Sequence, residues 1–175
     1  MASSTLAWSV GATEATVTVV EMVDLGCPVC ALAHEANRHS IKAQIEAGQL
    51  HYTSFPFPLP SHPNALEAAL VAHCADKQNP SGHWEAKDLL YSSQSQWNQQ
   101  YPVLNLLVAA LAPLDLDQGD LRHCISEAGV SYRADLMSSR LRLIYSGVDR
   151  TPFILVNGEV VAWDMVRSHV ARLLE

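Results

Sequence analysis

Ala15-Thr-Val-Thr-Val-Val-Glu-Met-Val23, Asp24-Leu-Gly26 and Cys27-Pro-Val-Cys30 follow one another directly, and their order decides how this chain folds. The first run is dense in β-branched residues and reads as a strand. Asp24-Leu25-Gly26 ends it. A segment of helical character then starts at Cys27 and continues to about Ala47, where Gly48 is a natural stop. Pro28 suits a first helical turn, because the N–H it lacks has no helical partner there. The Cys-x-x-Cys pair therefore falls where a strand hands over to a helix. A helix start offers unpaired N–H groups and a partial positive charge, which favour a thiolate, and the thiolate is the nucleophile. The spacing assigns attack to Cys27 and resolution of a mixed disulfide to Cys30, one turn deeper. Half of a zinc site and two ordinary core thiols are the other readings of such a pair.

Outward from this stretch, a second strand spans 49–55 and breaks at Pro56, Pro58 and Pro60. The middle reads as helices. Asn64 is expected to cap one running to about Asp76, and others cover 84–91 and 102–111. Asp117 is expected to cap another through Ala128, and a separate one runs from Ser131 through Ser146 to Gly147. Strand character returns at 153–156 and 159–162 around Asn157-Gly158, the strongest short hairpin signal. Asp164 is expected to cap a last helix carrying Met165, Val166, Val170, Leu173 and Leu174 on one side. This order describes an α/β fold. It is a thioredoxin-like mixed sheet, residues 1–60 and 147–175, with an inserted all-helical subdomain at 61–146.

With 175 residues, 49% of them hydrophobic, the chain can bury a real core and is not disordered. A net charge of −7 with no Lys/Arg cluster argues against a nucleic-acid partner. No apolar run reaches the ~18 residues of a membrane span. Met1 to Val10 lacks a charged region followed by a long apolar stretch, so no signal peptide is expected. The protein is then either cytoplasmic or begins after a cleavage site or removed anchor.

Glu21 sits mid-strand in an apolar run, six positions before Cys27. It is read either as a proton acceptor for Cys30 or as a strand-edge carboxylate reaching water. Asp24, on the loop, carries less weight. Cys74 and Cys124 fall on two predicted helices. A disulfide is preferred to two buried thiols, and it would imply an oxidising compartment. The eight histidines form no metal-binding pattern. His34, His39 and His62 are expected in surface or capping roles, and Trp84 and Trp97 in packing. In a sheet of this type, a cis-proline at Pro152 approaches the Cys-x-x-Cys loop. It leaves the Thr151 backbone open to pair with a substrate strand.

The pieces resemble, in order, bacterial DsbA-like thiol–disulfide oxidoreductases of the thioredoxin superfamily, from about Gly11 to Glu175. They are Val17-Thr-Val-Val-Glu-Met with Cys27-Pro-Val-Cys30, Phe55-Pro-Phe-Pro-Leu-Pro with His62-Pro-Asn-Ala65, the Trp84 region, and Thr151-Pro-Phe-Ile-Leu-Val-Asn-Gly158. The resemblance implies catalytic Cys27 and Cys30, a cis bond at Pro152, a buried acid at Glu21, and substrate contacts at Pro28, Val29 and Thr151. It also implies a structural disulfide between Cys74 and Cys124. It implies action outside the cytoplasm, with reoxidation by a membrane partner of the DsbB or vitamin K epoxide reductase type. Three positions depart from the family. Val29 stands where strong oxidants carry His, which argues against strong oxidising power. Leu25-Gly26 replaces an aromatic–polar pair, so the surface around Cys27 is expected to be less apolar. Asp149-Arg150 replaces small residues and places a cation near the site.

The expected function is that of an extracytoplasmic dithiol oxidase acting on thiol-containing proteins, without cofactor or metal. The alternatives are a thiol–disulfide reductase or isomerase and, in another class, a non-catalytic peptide- or Cu(I)-binding module. Isomerases of this superfamily generally add an N-terminal dimerisation domain, and the ten residues before Gly11 are too few for one.

Overall fold

The computed structural model describes residues 6–79 and 82–175, so the N-terminal leader reading falls partly outside the described residues. Strand β2 (Val17–Val23) is the centre of a five-stranded sheet of order β1-β3-β2-β4-β5. It runs parallel to β3 (Leu50–Pro56) and antiparallel to β4 (Phe153–Val156), which hairpins into β5 (Glu159–Val161). Asn157 and Gly158 both take positive φ at that turn, as a tight hairpin requires. The other edge is β1 (Trp8–Gly11), antiparallel to β3. The sequence reading assigned no strand there, because Trp-Ser-Val-Gly is too short to show a period of two.

Helix α1 (Pro28–Glu46) connects β2 to β3 and ends at Gly48, whose φ of 71° only glycine adopts freely. Between β3 and β4 the chain forms α2 (Ala65–Gln78), α3 (Gly82–Ser92), α4 (Gln94–Trp97), α5 (Leu104–Ala110) and α6 (Gln118–Tyr145). Helix α7 (Val166–Leu173) closes the chain and buries Val166 and Val170. One apolar cluster joins Val23, Cys27 and Cys30 to residues of α2, α3 and α5. A second lies between the sheet, α1 and α7.

Three local expectations are corrected. The two helices expected on either side of Ser131 are one helix of 28 residues. Gly129 does not break it, because Tyr132 and Leu136 continue its buried line and the Ser131 hydroxyl bonds back to Ala128 O. Asn64 precedes α2 without capping it; its amide instead donates to the carbonyls of Trp97, Asn98 and Gln100. Asp164 does not cap α7, whose first flanking residue is Met165.

Cys74 and Cys124 are joined by a disulfide that ties α2 to α6 across 50 positions. Closing that loop restricts the unfolded chain, which stabilises the fold by roughly 4 kcal/mol in the chain-entropy model. Urea unfolding of the Cys74→Ser/Cys124→Ser double variant is expected to show a loss of that order. A loss below about 1 kcal/mol would mean that packing alone holds α6 in place.

Candidate active site

Cys27 is the residue before α1, with extended backbone at its cap position, and Pro28 follows at the first helical position. Asp24 holds the approach to it. This carboxylate is buried and accepts from the Gly26 and Leu59 N–H groups, each at 2.7 Å. His62 Nδ1 also lies 2.7 Å from it, and the Asp24 carbonyl accepts from the Cys27 N–H at 3.0 Å. The loop is clamped from the far side by α4. Gln94 donates to the carbonyls of Leu25 and Cys27, and Asn98 donates to that of Gly26. A Cβ at residue 26 would stand 2.8 Å from the His62 Cβ and 3.0 Å from the Asn98 Oδ1, so only glycine fits.

The two sulfurs are free thiols in unequal surroundings. Cys30 has no exposure, whereas Cys27 keeps 6%. The Cys27 thiol is pulled down to about 5, chiefly by the hydrogen bond from the Cys30 thiol. Burial opposes this, while the Cys30 and Val29 N–H groups and the Thr151 hydroxyl assist. That hydroxyl is buried and has no other partner among the described residues. Burial pushes the Cys30 thiol well above the ordinary value, helped by its bond to Cys27 and by the Cys27 charge. Donors from the backbone and from Cys30 thus hold the thiolate without a histidine at position 29.

The Thr151–Pro152 bond is cis, and the Thr151 carbonyl lies 3.8 Å from Cys27 Sγ. Pro28 and Val29 are exposed beside the thiol. Val29, Arg150, Pro152, Phe153, Val160 and Trp163 line a groove of about 280 Å³. Arg150 is exposed, pairs with Asp149 at 2.7 Å and lies over the Phe153 ring. Leu25 is buried in the core.

Beneath the thiols lies a set of buried charges. Glu21 is 6% exposed and does not reach water as a strand-edge group. It accepts from the Tyr52 hydroxyl and from Lys87 Nζ, the latter at 3.1 Å, and Lys87 also donates to the Tyr52 oxygen. Lys87 itself is 1% exposed. Tyr52 is pushed well above its ordinary pKa, first by burial and then by the Glu21 charge. His34, expected at the surface, is buried against Trp84 and Tyr91 and bonded to Asp88.

Sequence reasoning gave Asp24 less weight than Glu21 and passed over Lys87, Gln94 and Asn98. Lys87 had a signal, because it is spaced with Trp84 and Tyr91 on the buried side of α3. So did His34, which shares its helix face with Cys30, Asn37 and Ile41. Gln94 and Asn98 had none.

Alkylation of the reduced protein should label Cys27 with a midpoint near pH 5 and leave Cys30 unlabelled; a midpoint near 9.0 would remove the thiolate from the site. Gly26→Ala should lose about 1–3 kcal/mol in urea unfolding through the forced shift of His62 and Asn98.

Comparison with known proteins agrees with this fold. BdbD of Bacillus subtilis superimposes with a TM-score of 0.77 at 21% identity, over 95% of this chain and 92% of that one. DsbA of Chlamydia trachomatis gives 0.78 at 15% identity, over 95% and 91%. These likenesses establish the fold. Among curated proteins, the Na(+)/H(+) antiporter NhaA 3 of Salinispora tropica is 34% identical over 85% of this chain. The chain spans only about a fifth of the length of the curated relatives it matches, 21% in each case. A family model described as Thioredoxin matches residues 4–175, and the chain belongs to that family.

Proposed function

We propose that this protein is a thiol–disulfide oxidoreductase that works as a dithiol oxidase, with Cys27–Cys30 as its redox couple. The unequal pull on the two sulfurs carries the reading. A Cys27 thiol held at about 5 is a stabilised thiolate, and stabilising the reduced form makes the disulfide a stronger oxidant. A substrate thiolate attacks Cys27, the Cys27–Cys30 bond breaks, and Cys30 leaves with the electron pair and takes up a proton. A second substrate thiolate then attacks the substrate sulfur of the mixed disulfide and releases Cys27 as its thiolate. Thr151 and the cis-proline edge are read as the strand-like seat of the substrate, with Pro28 and Val29 beside it. Glu21 is read as the buried acid serving Cys30.

Substrates are read as thiol-bearing proteins outside the cytoplasm, an assignment supported by the Cys74–Cys124 disulfide. The similarity to a segment of two Na(+)/H(+) antiporters supports a place beside a membrane protein. The family resemblance supports a membrane reoxidant of the DsbB or vitamin K epoxide reductase type.

Equilibration with glutathione is the direct test. A potential between about −120 and −200 mV is expected, and one near about −270 mV would make the protein a reductant. Cys30→Ser should accumulate mixed disulfides through Cys27, whereas a binding module would accumulate none. The thiolate also predicts a pH dependence. Folding depresses the Cys27 pKa, so its contribution is complete above the ordinary thiol value of 9.0 and is lost as pH falls through about 5. Across that window Cys30 stays protonated, because its pKa is raised. The stability of the reduced protein relative to the oxidised one should therefore fall steadily as pH is lowered, as thermal unfolding of both forms would record.

A further inference from the structure

Exchange at a buried sulfur needs a proton route, and Cys30 has no exposure at all. The groups around it suggest one. A small cavity of about 10 Å³, the size of a single water, lies between the sheet and α1. Glu21, Tyr52, Trp84 and His34 are among its walls. On the outer side of α1 a groove of about 510 Å³ opens to solvent, and its walls include His34, Asp88, Glu35 and Arg38. His34 and Arg38 border both spaces. A guanidinium does not release its proton, so of the two only the imidazole can pass one on.

We propose that His34, seated between the cavity and the groove and bonded to Asp88, relays protons between solvent and the Glu21–Tyr52 pair that serves Cys30. The inference rests on the oxidoreductase reading above. When a substrate thiolate breaks the Cys27–Cys30 bond, the Cys30 thiolate takes the proton shared between the Tyr52 hydroxyl and the Glu21 carboxylate. His34 replaces that proton and is itself reprotonated at the groove. In the reverse direction each transfer runs backwards.

Charged and titratable groups face His34 from every element packed on it. From α3 come Lys87, Asp88 and Tyr91; from β2, Glu21; from β3, Tyr52; from its own helix, Glu35 and Arg38. Burial first, and then the Lys87 charge, lower the imidazole pKa, against the pull of Asp88. The ring is therefore neutral near pH 7, with one nitrogen to donate and one to accept. Asp88 ends up lowered, since its bond to His34 and the nearby cations outweigh the burial that raises it. A carboxylate is thus kept at the outer nitrogen. Lys87 ties Glu21 to Tyr52 from the opposite side and fixes the inner end of the route.

The test is single-turnover reduction of the oxidised protein by dithiothreitol, followed by acid quench and thiol labelling across pH 5–9 in H₂O and D₂O. His34→Gln and Asp88→Asn should each slow exchange about tenfold at pH 7 and raise the solvent isotope effect. The glutathione potential should stay that of the unsubstituted protein, because a relay alters the path and not its ends. His73→Gln, at a half-buried histidine between α2 and α6, should change none of these. Unchanged rates and isotope effects in both relay variants would overturn the relay alone. So would a shift in potential large enough to account for the slower rates. Absence of exchange in the unsubstituted protein would overturn the oxidoreductase reading and the relay with it.

Discussion

The buried Asp24 carboxylate is the constraint on which the rest of the site hangs. A carboxylate without exposure must be bonded on every side, and this one uses the Gly26 and Leu59 N–H groups and His62. Those partners come from the turn after β2 and from the proline-rich segment after β3. One side chain therefore ties the end of β2 to the segment after β3 and holds the loop that leads into α1. That loop brings Cys27 to the start of α1, where the N–H groups of the first turn are free to face its sulfur.

The helices between β3 and β4 complete the site rather than merely cover it. Helix α4 holds three residues of the redox loop through the side chains of Gln94 and Asn98. Helix α3 sends Lys87 into the core, where its ammonium meets Glu21 and Tyr52 and lies over the rings of Tyr52 and Trp84. A lone buried cation or carboxylate would each be costly, but together with the Tyr52 hydroxyl they satisfy one another. The same helix supplies Asp88 to His34. The sheet brings the acid and the thiols; the inserted helices bring the groups that balance their charge.

Much of the fold was legible from the chain because its signals are local. The β-branched run into Cys27, the Asn157-Gly158 turn and the Gly48 stop each depend on neighbours within a few residues. The failures were local signals overruled at a distance. Gly129-Val130-Ser131 looks like a break, yet packing of Tyr132 and Leu136 carries α6 straight through it. Asn64 is a good helix cap by type, but three carbonyls near α4 compete for its amide and win.

The sequence by itself determined the order of the strands from β2 onward, the helical character of the stretch between β3 and β4, and the place of the Cys27–Cys30 pair at a helix start. These follow from spacing and residue type along a few turns of chain. Only the tertiary structure decided what faces those residues: Lys87 and Tyr52 at Glu21, Asp88 at His34, Thr151 at Cys27, and the two side chains of the α4 region on the redox loop. The reason is physical. A charge or a thiol takes its properties from groups within a few ångströms, and here those groups are drawn from across the chain, Thr151 lying 124 positions from Cys27.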